Sequence, residues 1–305
     1  MGEVVVEDLV KVYRDGVEAV KGVSFSASRG ITMLMGPNGS GKTTTLSMIA
    51  GSLKPTRGKV YVMGFDVWGD GWVEARKRIG FAPQDMPFRA KLTVLENLVW
   101  YGLIRGMGLG VARRRASELL REVGLYEHRR KRVEELSGGM RRRLTIAAAL
   151  IGDPEVLILD EPTSGLDPGA RRGFWELVER LARDKVVIAS THIAEEAEKH
   201  ADKVIIFHRG RIVAEGRPDE LIERHAPLAR IVVKGDLRAP VEVEGATLLS
   251  SSPEEQAYTT RSPETVLPRL IEKLIEGGSR IESVEVRKPG LEEVYLRLTG
   301  ERLEG

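Results

Sequence analysis

The sequence predicts an α/β fold followed by a small α+β domain, and three observations support this prediction. Two apolar strand-like segments, 156–161 and 185–191, flank an amphipathic helical segment at 169–183, and this order is typical of a parallel sheet. Between about 93 and 150, apolar residues recur at three-to-four spacing, which predicts a run of helices. The composition shifts at 223–230, which predicts a domain boundary there.

The other elements follow from local pattern and turn residues. Alternating β-branched and apolar residues predict strands, and helical periodicity predicts helices. In the first part of the chain we expect strands at 3–13, 23–28, 31–35, 58–67 and 79–84, a helix at 43–53, and two strands within 203–216 that turn at Gly210. In the tail we expect strands at 230–235, 246–251, 256–261 and 280–288, and helices at 263–278 and 291–300.

The composition indicates a globular chain with a sizeable core, since 42% of its 305 residues are hydrophobic and 30% are charged. It has no cysteine, which excludes disulfides, thiolate metal sites and thiol nucleophiles and fits a reducing compartment. The formal net charge of +2 gives no bulk argument for nucleic-acid binding. No run approaches the roughly 18 apolar residues that cross a bilayer, so any membrane role would depend on a partner.

The segment GPNGSGKT, residues 36–43, has the spacing of a phosphate-binding loop. Its glycines permit a tight turn whose N–H groups point at phosphate oxygens, and the positive end of the following helix faces the same anion. Lys42 is expected to reach the outer phosphates, and Thr43 to offer its hydroxyl to Mg²⁺. The residues predicted to bind a nucleoside triphosphate are Gly36, Pro37, Asn38, Gly39, Ser40, Gly41, Lys42, Thr43 and Thr44. The loop alone does not distinguish kinases, GTPases and ATPases, although the chain has no Asn-Lys-x-Asp segment for reading guanine.

Polar residues at the ends of three predicted strands suit phosphoryl transfer. Asp160 is placed to hold Mg²⁺, and Glu161 to orient and deprotonate the attacking water. Gln84 is a candidate ligand of Mg²⁺ or a contact of that water, and His192 is a candidate for stabilising charge on the γ-phosphate. Alone, a glutamine or histidine at a strand end also fits a structural role.

Two further features have both a binding and a structural interpretation. The segment LSGGM begins at Leu136 and opens a predicted helix, so the N–H groups of Ser137, Gly138 and Gly139 and the serine hydroxyl suit contact with an anion. The same pattern also fits an ordinary capped helix start. Tyr13 could stack on a nucleotide base or belong to the core.

Taken in order, these motifs resemble the ATP-binding subunit of an ABC transporter over about residues 3–222. The motifs that carry the resemblance are the loop Gly36–Thr43, Gln84, LSGGM, LILDEP, the segment SGLD at Ser164–Asp167, and His192. The resemblance implies a P-loop ATPase core with an antiparallel β portion and an inserted helical portion at about 90–150. It places the nucleotide-binding domain at residues 1–222 and leaves 223–305 as a small C-terminal α+β domain.

The resemblance also implies a role for each matching residue, with ATP and Mg²⁺ as cofactors. It implies that Gly36–Thr44 binds the phosphates and that Tyr13 stacks on adenine. It makes Gln84 the switch glutamine, Asp160 the magnesium-side acid and Glu161 the general base. It makes His192 the switch histidine and Ser164–Asp167 the loop that communicates between subunits.

For the second glycine segment, the resemblance implies a contact with ATP bound to another copy. Two copies would then hold two ATP molecules between the Gly36–Thr43 loop of one and the Ser137–Gly139 loop of the other, and hydrolysis would loosen the pair. The other implied partner is a separate integral membrane permease. The protein would be cytoplasmic, at the inner face of the membrane, with no nucleic acid as partner.

The segment GLEEVYLRLTG, near the end of the chain, is similar to the C-terminal extension of multidrug and daunorubicin export ATPases. This implies export, and a role of the tail in subunit contact or regulation. Two alternatives stay open: a soluble ABC ATPase of DNA repair or translation, and a nucleotide sensor that does not hydrolyse ATP. The first class tends to carry paired ATPase domains, a long coiled coil or zinc cysteines. The presence of both Glu161 and His192 argues against the second class, the nucleotide sensor.

Overall fold

The computed structural model describes residues 3–303. The strands are β1 (Val4–Val12), β2 (Glu18–Ala27), β3 (Gly30–Met35), β4 (Arg57–Val62), β5 (Phe65–Asp66), β6 (Ile79–Ala82), β7 (Val156–Leu159), β8 (Val186–Thr191), β9 (Lys203–His208), β10 (Arg211–Gly216), β11 (Ala229–Asp236), β12 (Ala246–Ser251), β13 (Glu255–Thr260) and β14 (Arg280–Arg287). The α-helices are α1 (Lys42–Ile49), α2 (Trp72–Lys77), α3 (Val94–Ile104), α4 (Leu109–Glu122), α5 (Gly138–Ala149), α6 (Pro168–Ala182), α7 (Ala194–His200), α8 (Pro218–His225), α9 (Pro263–Glu276) and α10 (Leu291–Thr299).

A six-stranded sheet of order β10-β9-β3-β8-β7-β6 forms the centre of the first part of the chain. Its strands run parallel except for β10, which pairs antiparallel with β9. Strands β7 and β8 are buried on both faces, as their apolar sequences require. The helix α6 connects these two strands, so the predicted strand–helix–strand unit and the α/β class are confirmed.

A separate four-stranded sheet has the order β2-β1-β4-β5 and antiparallel pairing. Its β2 begins at Glu18, five residues before the predicted start, because Gly22 lies inside the strand and does not end it. Gly22 has φ +75°, and the ladder passes from the Leu9–Val23 pair to the Val10–Lys21 pair, which makes it a bulge. Valines of this sheet share a core with the apolar residues of β3, β7, β8 and α1.

The predicted helical run contains α3, α4 and α5, and its first helix has a complete capping box. Thr93 Oγ1 accepts from the N–H of Glu96 at 3.2 Å, and Glu96 Oε2 accepts from the N–H of Thr93 at 2.8 Å. Behind the cap, the buried Asn97 donates to three backbone carbonyls, those of Arg89, Leu92 and Thr93. The segment before α3 is therefore fixed against the helix itself.

The chain divides into two compact units, the first reaching Pro218 and the second spanning Asp219–Arg302. In the second unit, an antiparallel sheet of order β12-β13-β11-β14 packs against α9. Ile231, Val233 and Tyr258 of the sheet share a core with Leu270 and Leu274 of the helix. This is an α+β arrangement, as the strands and helices predicted for the tail indicate.

Three short helices, α2, α7 and α8, have no counterpart among the predicted elements. Each has eight residues or fewer and is rich in charged residues, so none carries enough apolar positions to show a helical period. Between residues 3 and 303, none of the helices is both long enough and apolar enough to cross a membrane.

Candidate functional site

The loop from Gly36 to Gly41 joins β3 to α1, and neighbouring strands hold it closely. The Gly36 N–H donates to Thr191 O at 3.3 Å, and the Gly210 N–H donates to Ser40 O at 2.9 Å. A Cβ on Gly36 would lie 2.4 Å from Phe207 O, and one on Gly41, at φ +105°, would lie 2.6 Å from Ala19 O. Only glycine fits these two positions without moving the backbone. Contacts to neighbouring parts of the first unit therefore fix the conformation of the loop.

Two buried polar side chains of this loop are poised for an anion. Lys42 Nζ donates to the carbonyls of Gly36 and Pro37 at 2.7 and 2.9 Å, and lies 3.9 Å from Glu161 Oε1. Burial lowers the pKa of Lys42, against the opposing effect of the nearby acids. The Ser40 hydroxyl is buried and has no hydrogen-bond partner among the described residues. A phosphate group would satisfy both side chains.

Asp160 lies buried directly after β7, where two hydroxyls meet its carboxylate. Thr43 Oγ1 and Ser190 Oγ both donate to Asp160 Oδ1, at 3.0 and 2.7 Å. Burial raises the pKa of Asp160 above its ordinary value, although these hydrogen bonds act in the other direction. A carboxylate beside a threonine hydroxyl offers the hard oxygen ligands that Mg²⁺ prefers, and a cation would remove the cost of the buried charge. The donor set therefore fits Mg²⁺.

Glu161 follows Asp160 in a backbone conformation that is uncommon for a residue other than glycine, with φ +42°. Its N–H donates to Ser190 Oγ at 2.8 Å, which fixes the start of the turn. Its Oε1 lies 3.5 Å from His192 Nδ1 and 3.9 Å from Lys42 Nζ. The structure thus brings Glu161, His192 and Lys42 together at the ends of three neighbouring strands.

A pocket of about 520 Å³ opens over the phosphate loop. Its lining residues are Val17, Glu18, Ala19, Lys21, Asn38, Gly39, Gly41, Lys42, Thr43, Thr44, Glu161, Arg209 and Gly210. Tyr13 lies just beyond β1 with 40% of its surface exposed, and its hydroxyl is 3.2 Å from Thr44 Oγ1. An exposed ring linked to the phosphate loop in this way is accessible to a base.

The segment LSGGM, which leads into α5, contributes to a different pocket. Ser137 caps α5, because its Oγ accepts from the Met140 N–H at 3.3 Å. Gly138 and Gln84 line a pocket of about 260 Å³ that also includes Ser164. The backbone carbonyl of Gln84 accepts a hydrogen bond from the side chain of Arg142, which lies on α5. Gln84 and Gly138 therefore share a pocket that does not include the residues of the phosphate loop.

Ser190 is a site residue that the sequence motifs do not indicate. It accepts from the Glu161 N–H and donates to Asp160, so it fixes both acids. The relevant signal is a buried serine at the end of a strand whose first four residues are apolar. Its role depends on the parallel pairing of Leu159 in β7 with Ala189 in β8. This pairing brings the residues that follow them, Asp160 and Ser190, side by side. Pairing between distant strands is not readable from one sequence.

Comparison with known proteins agrees with this geometry. Residues 20–164 match the ABC transporter family. The chain is 41% identical over 304 residues to the Nod factor export ATP-binding protein I of Rhizobium etli, covering 97% of this chain and 93% of the relative. It is 36% identical to the daunorubicin resistance ATP-binding protein DrrA3 of Streptomyces coeruleorubidus, covering 98% and 96%.

Among solved structures, a dimeric post-hydrolysis state of an ATP-binding cassette bound to ADP and Pi is similar, with a TM-score of 0.64 and 29% identity. The match covers 70% of this chain and 98% of that one. The similarity to the Nod factor and daunorubicin proteins extends over nearly the whole chain, the second unit included. The chain therefore belongs to the ABC transporter family, as one of its ATP-binding ATPase proteins.

Proposed function

We propose that two copies of this chain bind and hydrolyse ATP between them and so drive export through a separate integral membrane permease. The observation that carries the proposal is the division of the candidate residues between two pockets. One pocket holds the phosphate loop and Glu161, and the other holds the start of α5. These two sets of residues would form one complete site if the start of α5 of a second copy met the phosphate loop of the first.

In this proposal the triphosphate lies along Gly36–Thr44, with Tyr13 against the adenine. Lys42 exchanges its hydrogen bonds to Gly36 and Pro37 for bonds to phosphate oxygens. The Ser40 hydroxyl gains the partner that it lacks. The N-terminus of α1 adds its positive end to the same anion.

Thr43 and Asp160, which already share a hydrogen bond, are the residues that would hold Mg²⁺, and Gln84 would join them from the pocket at the start of α5. When bound, the ion neutralises charge on the phosphate oxygens. Glu161 accepts the proton of the attacking water, and His192 stabilises charge on the γ-phosphate. The 3.5 Å separation of Glu161 Oε1 and His192 Nδ1 supports this assignment, because both side chains then face the same reacting group.

For the second copy, we propose that Ser137, Gly138 and Gly139 contact the ATP held by the partner's phosphate loop. The N–H groups at the start of α5 and the Ser137 hydroxyl are suited to this contact. ATP then favours the closed pair, and hydrolysis shifts the equilibrium to the open one.

Export is supported by the Nod factor and daunorubicin relatives, whose names describe export and drug resistance. We propose that the protein is cytoplasmic and attaches to the inner face of the membrane through the permease. The ATPase functions would reside in residues 1–222, and residues 223–305 would form a separate domain for subunit contact or regulation.

The proposal is tested by measuring phosphate release from ATP by the purified chain, with Mg²⁺ and with an excess of EDTA. We expect hydrolysis in Mg²⁺ and its loss in EDTA. A folded chain that binds ATP without releasing phosphate would contradict the proposal and favour a nucleotide sensor. Purification from cells with ribosomes or DNA, in place of a membrane protein, would favour a role in translation or repair.

A further inference from the structure

Glu196 is a buried acid that the proposed chemistry does not use. It lies in the first turn of α7, with 4% of its surface exposed. Its neighbour Glu195 is exposed on the same short helix. A buried carboxylate is retained only where hydrogen bonds or charges compensate its desolvation. The partners of Glu196 therefore indicate what this residue does.

Both oxygens of Glu196 accept a short hydrogen bond, each from a different segment. Thr163 Oγ1 donates to Oε1 at 2.7 Å, and Thr191 Oγ1 donates to Oε2 at 2.8 Å. Both threonines are buried, with 3% of their surfaces exposed. Arg171 Nε lies 3.4 Å from Oε1, at ion-pair distance. One carboxylate thus joins three separate parts of the first unit.

The two threonines lie beside the proposed catalytic residues. Thr163 is two residues after Glu161, in the turn that the Ser164 N–H closes on Glu161 O. Thr191 directly precedes His192, and its Oγ1 also accepts from the Ile193 N–H at 3.0 Å, so this hydrogen bond joins the two residues that flank the histidine. Any shift of Glu196 would move the segments of both Glu161 and His192.

The third partner extends this network toward the loop Ser164–Asp167. Arg171 lies in the first turns of α6, whose N-cap is Asp167. Its N–H donates to Asp167 O at 2.9 Å, while its guanidinium reaches Glu196. The carboxylate therefore connects this loop to the His192 segment.

We propose that Glu196 is a positioning residue that sets the separation of Glu161 from His192 and couples both to the loop Ser164–Asp167. This inference rests on the proposed function, because Glu161 and His192 act there. A displacement of about 1 Å at a reacting group can lower turnover about a hundredfold, so such a constraint has a measurable effect. ATP binding at Gly36–Thr44 does not involve Glu196 and should be little changed.

The test compares Glu196→Gln with the matched control Glu195→Gln. The glutamine amide can accept a hydrogen bond from only one of the two threonines, and it cannot form the ion pair with Arg171. We expect kcat for ATP hydrolysis to fall about tenfold to a hundredfold in Glu196→Gln, with KM and ATP affinity within about twofold of the wild type. The Glu195→Gln variant should match the wild type.

A second set of variants covers the case in which Glu196→Gln does not fold. Thr191→Val and Thr163→Val each remove one hydrogen bond, and the corresponding serine variants keep the hydroxyl. We expect the valine variants to lower kcat and the serine variants to restore it.

Two results would overturn the inference: a folded Glu196→Gln with kcat within twofold of the wild type, or serine variants no more active than the valine ones. A wild type without ATPase activity would instead contradict the proposed function itself.

Discussion

Glu161 combines an uncommon backbone conformation with two basic side chains close to its carboxylate. Its φ of +42° costs conformational energy that the Ser190 hydrogen bond and the short turn after it offset. This backbone conformation directs the Glu161 carboxylate toward both His192 and Lys42. This orientation suits the role proposed for Glu161, which is to accept the proton of the attacking water.

We expect Glu161→Gln to lower ATP turnover roughly 10²–10⁴-fold, because the amide cannot accept the proton of the attacking water. ATP binding should persist, since Lys42 and the loop are unchanged. Steady-state phosphate release together with nucleotide binding checks this, with the exposed Glu176→Gln on α6 as control. Near-normal turnover of the Glu161 variant would remove Glu161 from its proposed role.

Asp160 is expected to lower the stability of the chain when no cation is bound. Burial raises its pKa above the ordinary value of 3.8, so between 3.8 and the raised value the folded chain holds this proton more tightly than the unfolded chain. Its contribution to the free energy of unfolding therefore falls as pH rises through that window and stays lower at neutral pH.

We therefore expect Asp160→Asn to raise the Tm of the nucleotide-free protein at pH 7. The difference from the wild type should shrink as pH falls toward 3.8, because the wild-type carboxyl becomes neutral. Thermal unfolding across pH checks this, with the exposed Asp184→Asn as control. A lower Tm for the Asp160 variant at pH 7 would contradict the argument.

At the scale of elements, the helix starts show how far local sequence reasoning reaches. The capping box of Thr93 and Glu96 is a local pattern, and the helix begins where it indicates. Strands with strong alternation or continuous apolar runs are likewise readable from the sequence. The short helices α2, α7 and α8 are not, because each is too short and too rich in charged residues to show a helical period.

The cap of α3 gives a stability prediction. Thr93→Ala removes the acceptor for the Glu96 N–H and should cost about 1 kcal/mol of unfolding free energy. We expect a Tm lower by about 2–4 °C in thermal unfolding. Ser117→Ala inside α4 should not lower Tm, because alanine favours a helix interior. Equal Tm for Thr93→Ala and the wild type would show that the cap adds no stability.

The start of α5 gives a prediction about assembly. Ser137→Arg places a long cation where the partner's triphosphate is proposed to lie, so ATP-dependent dimerisation and hydrolysis should be lost. Binding of one ATP at Gly36–Thr43 should remain. Size-exclusion chromatography with ATP, on a background that does not hydrolyse it, checks this. The exposed Ser52→Arg is the control, and a Ser137→Arg variant that still dimerises with ATP would refute the contact.

At the scale of the molecule, the candidate site is assembled from strand ends that lie far apart in sequence. The motifs predict Lys42, Asp160, Glu161 and His192 individually, and the parallel sheet brings them together. The networks of Ser190 and Glu196 could not be predicted, because they depend on which strand lies beside which. The fold class and the phosphate loop required only local pattern.

Shared active sites make activity depend on protein concentration. If each complete site needs two chains, ATPase activity per chain should rise with concentration in the dilute range and then level off, as mass action requires. Initial rates at saturating Mg²⁺ and ATP over a wide range of protein concentration check this. Constant activity per chain down to the lowest concentration, with monomers alone detected, would contradict the two-chain site.

The phosphate loop is held by Thr191 on one side and by Gly210 on the other. Because these hydrogen bonds already order the loop, a ligand that binds there loses little free energy to ordering it. We therefore expect a single chain to bind both ADP and ATP. Selectivity for the triphosphate would then increase when a second chain closes over the γ-phosphate. Each chain would then bind either nucleotide, and formation of the pair would determine when ATP is hydrolysed.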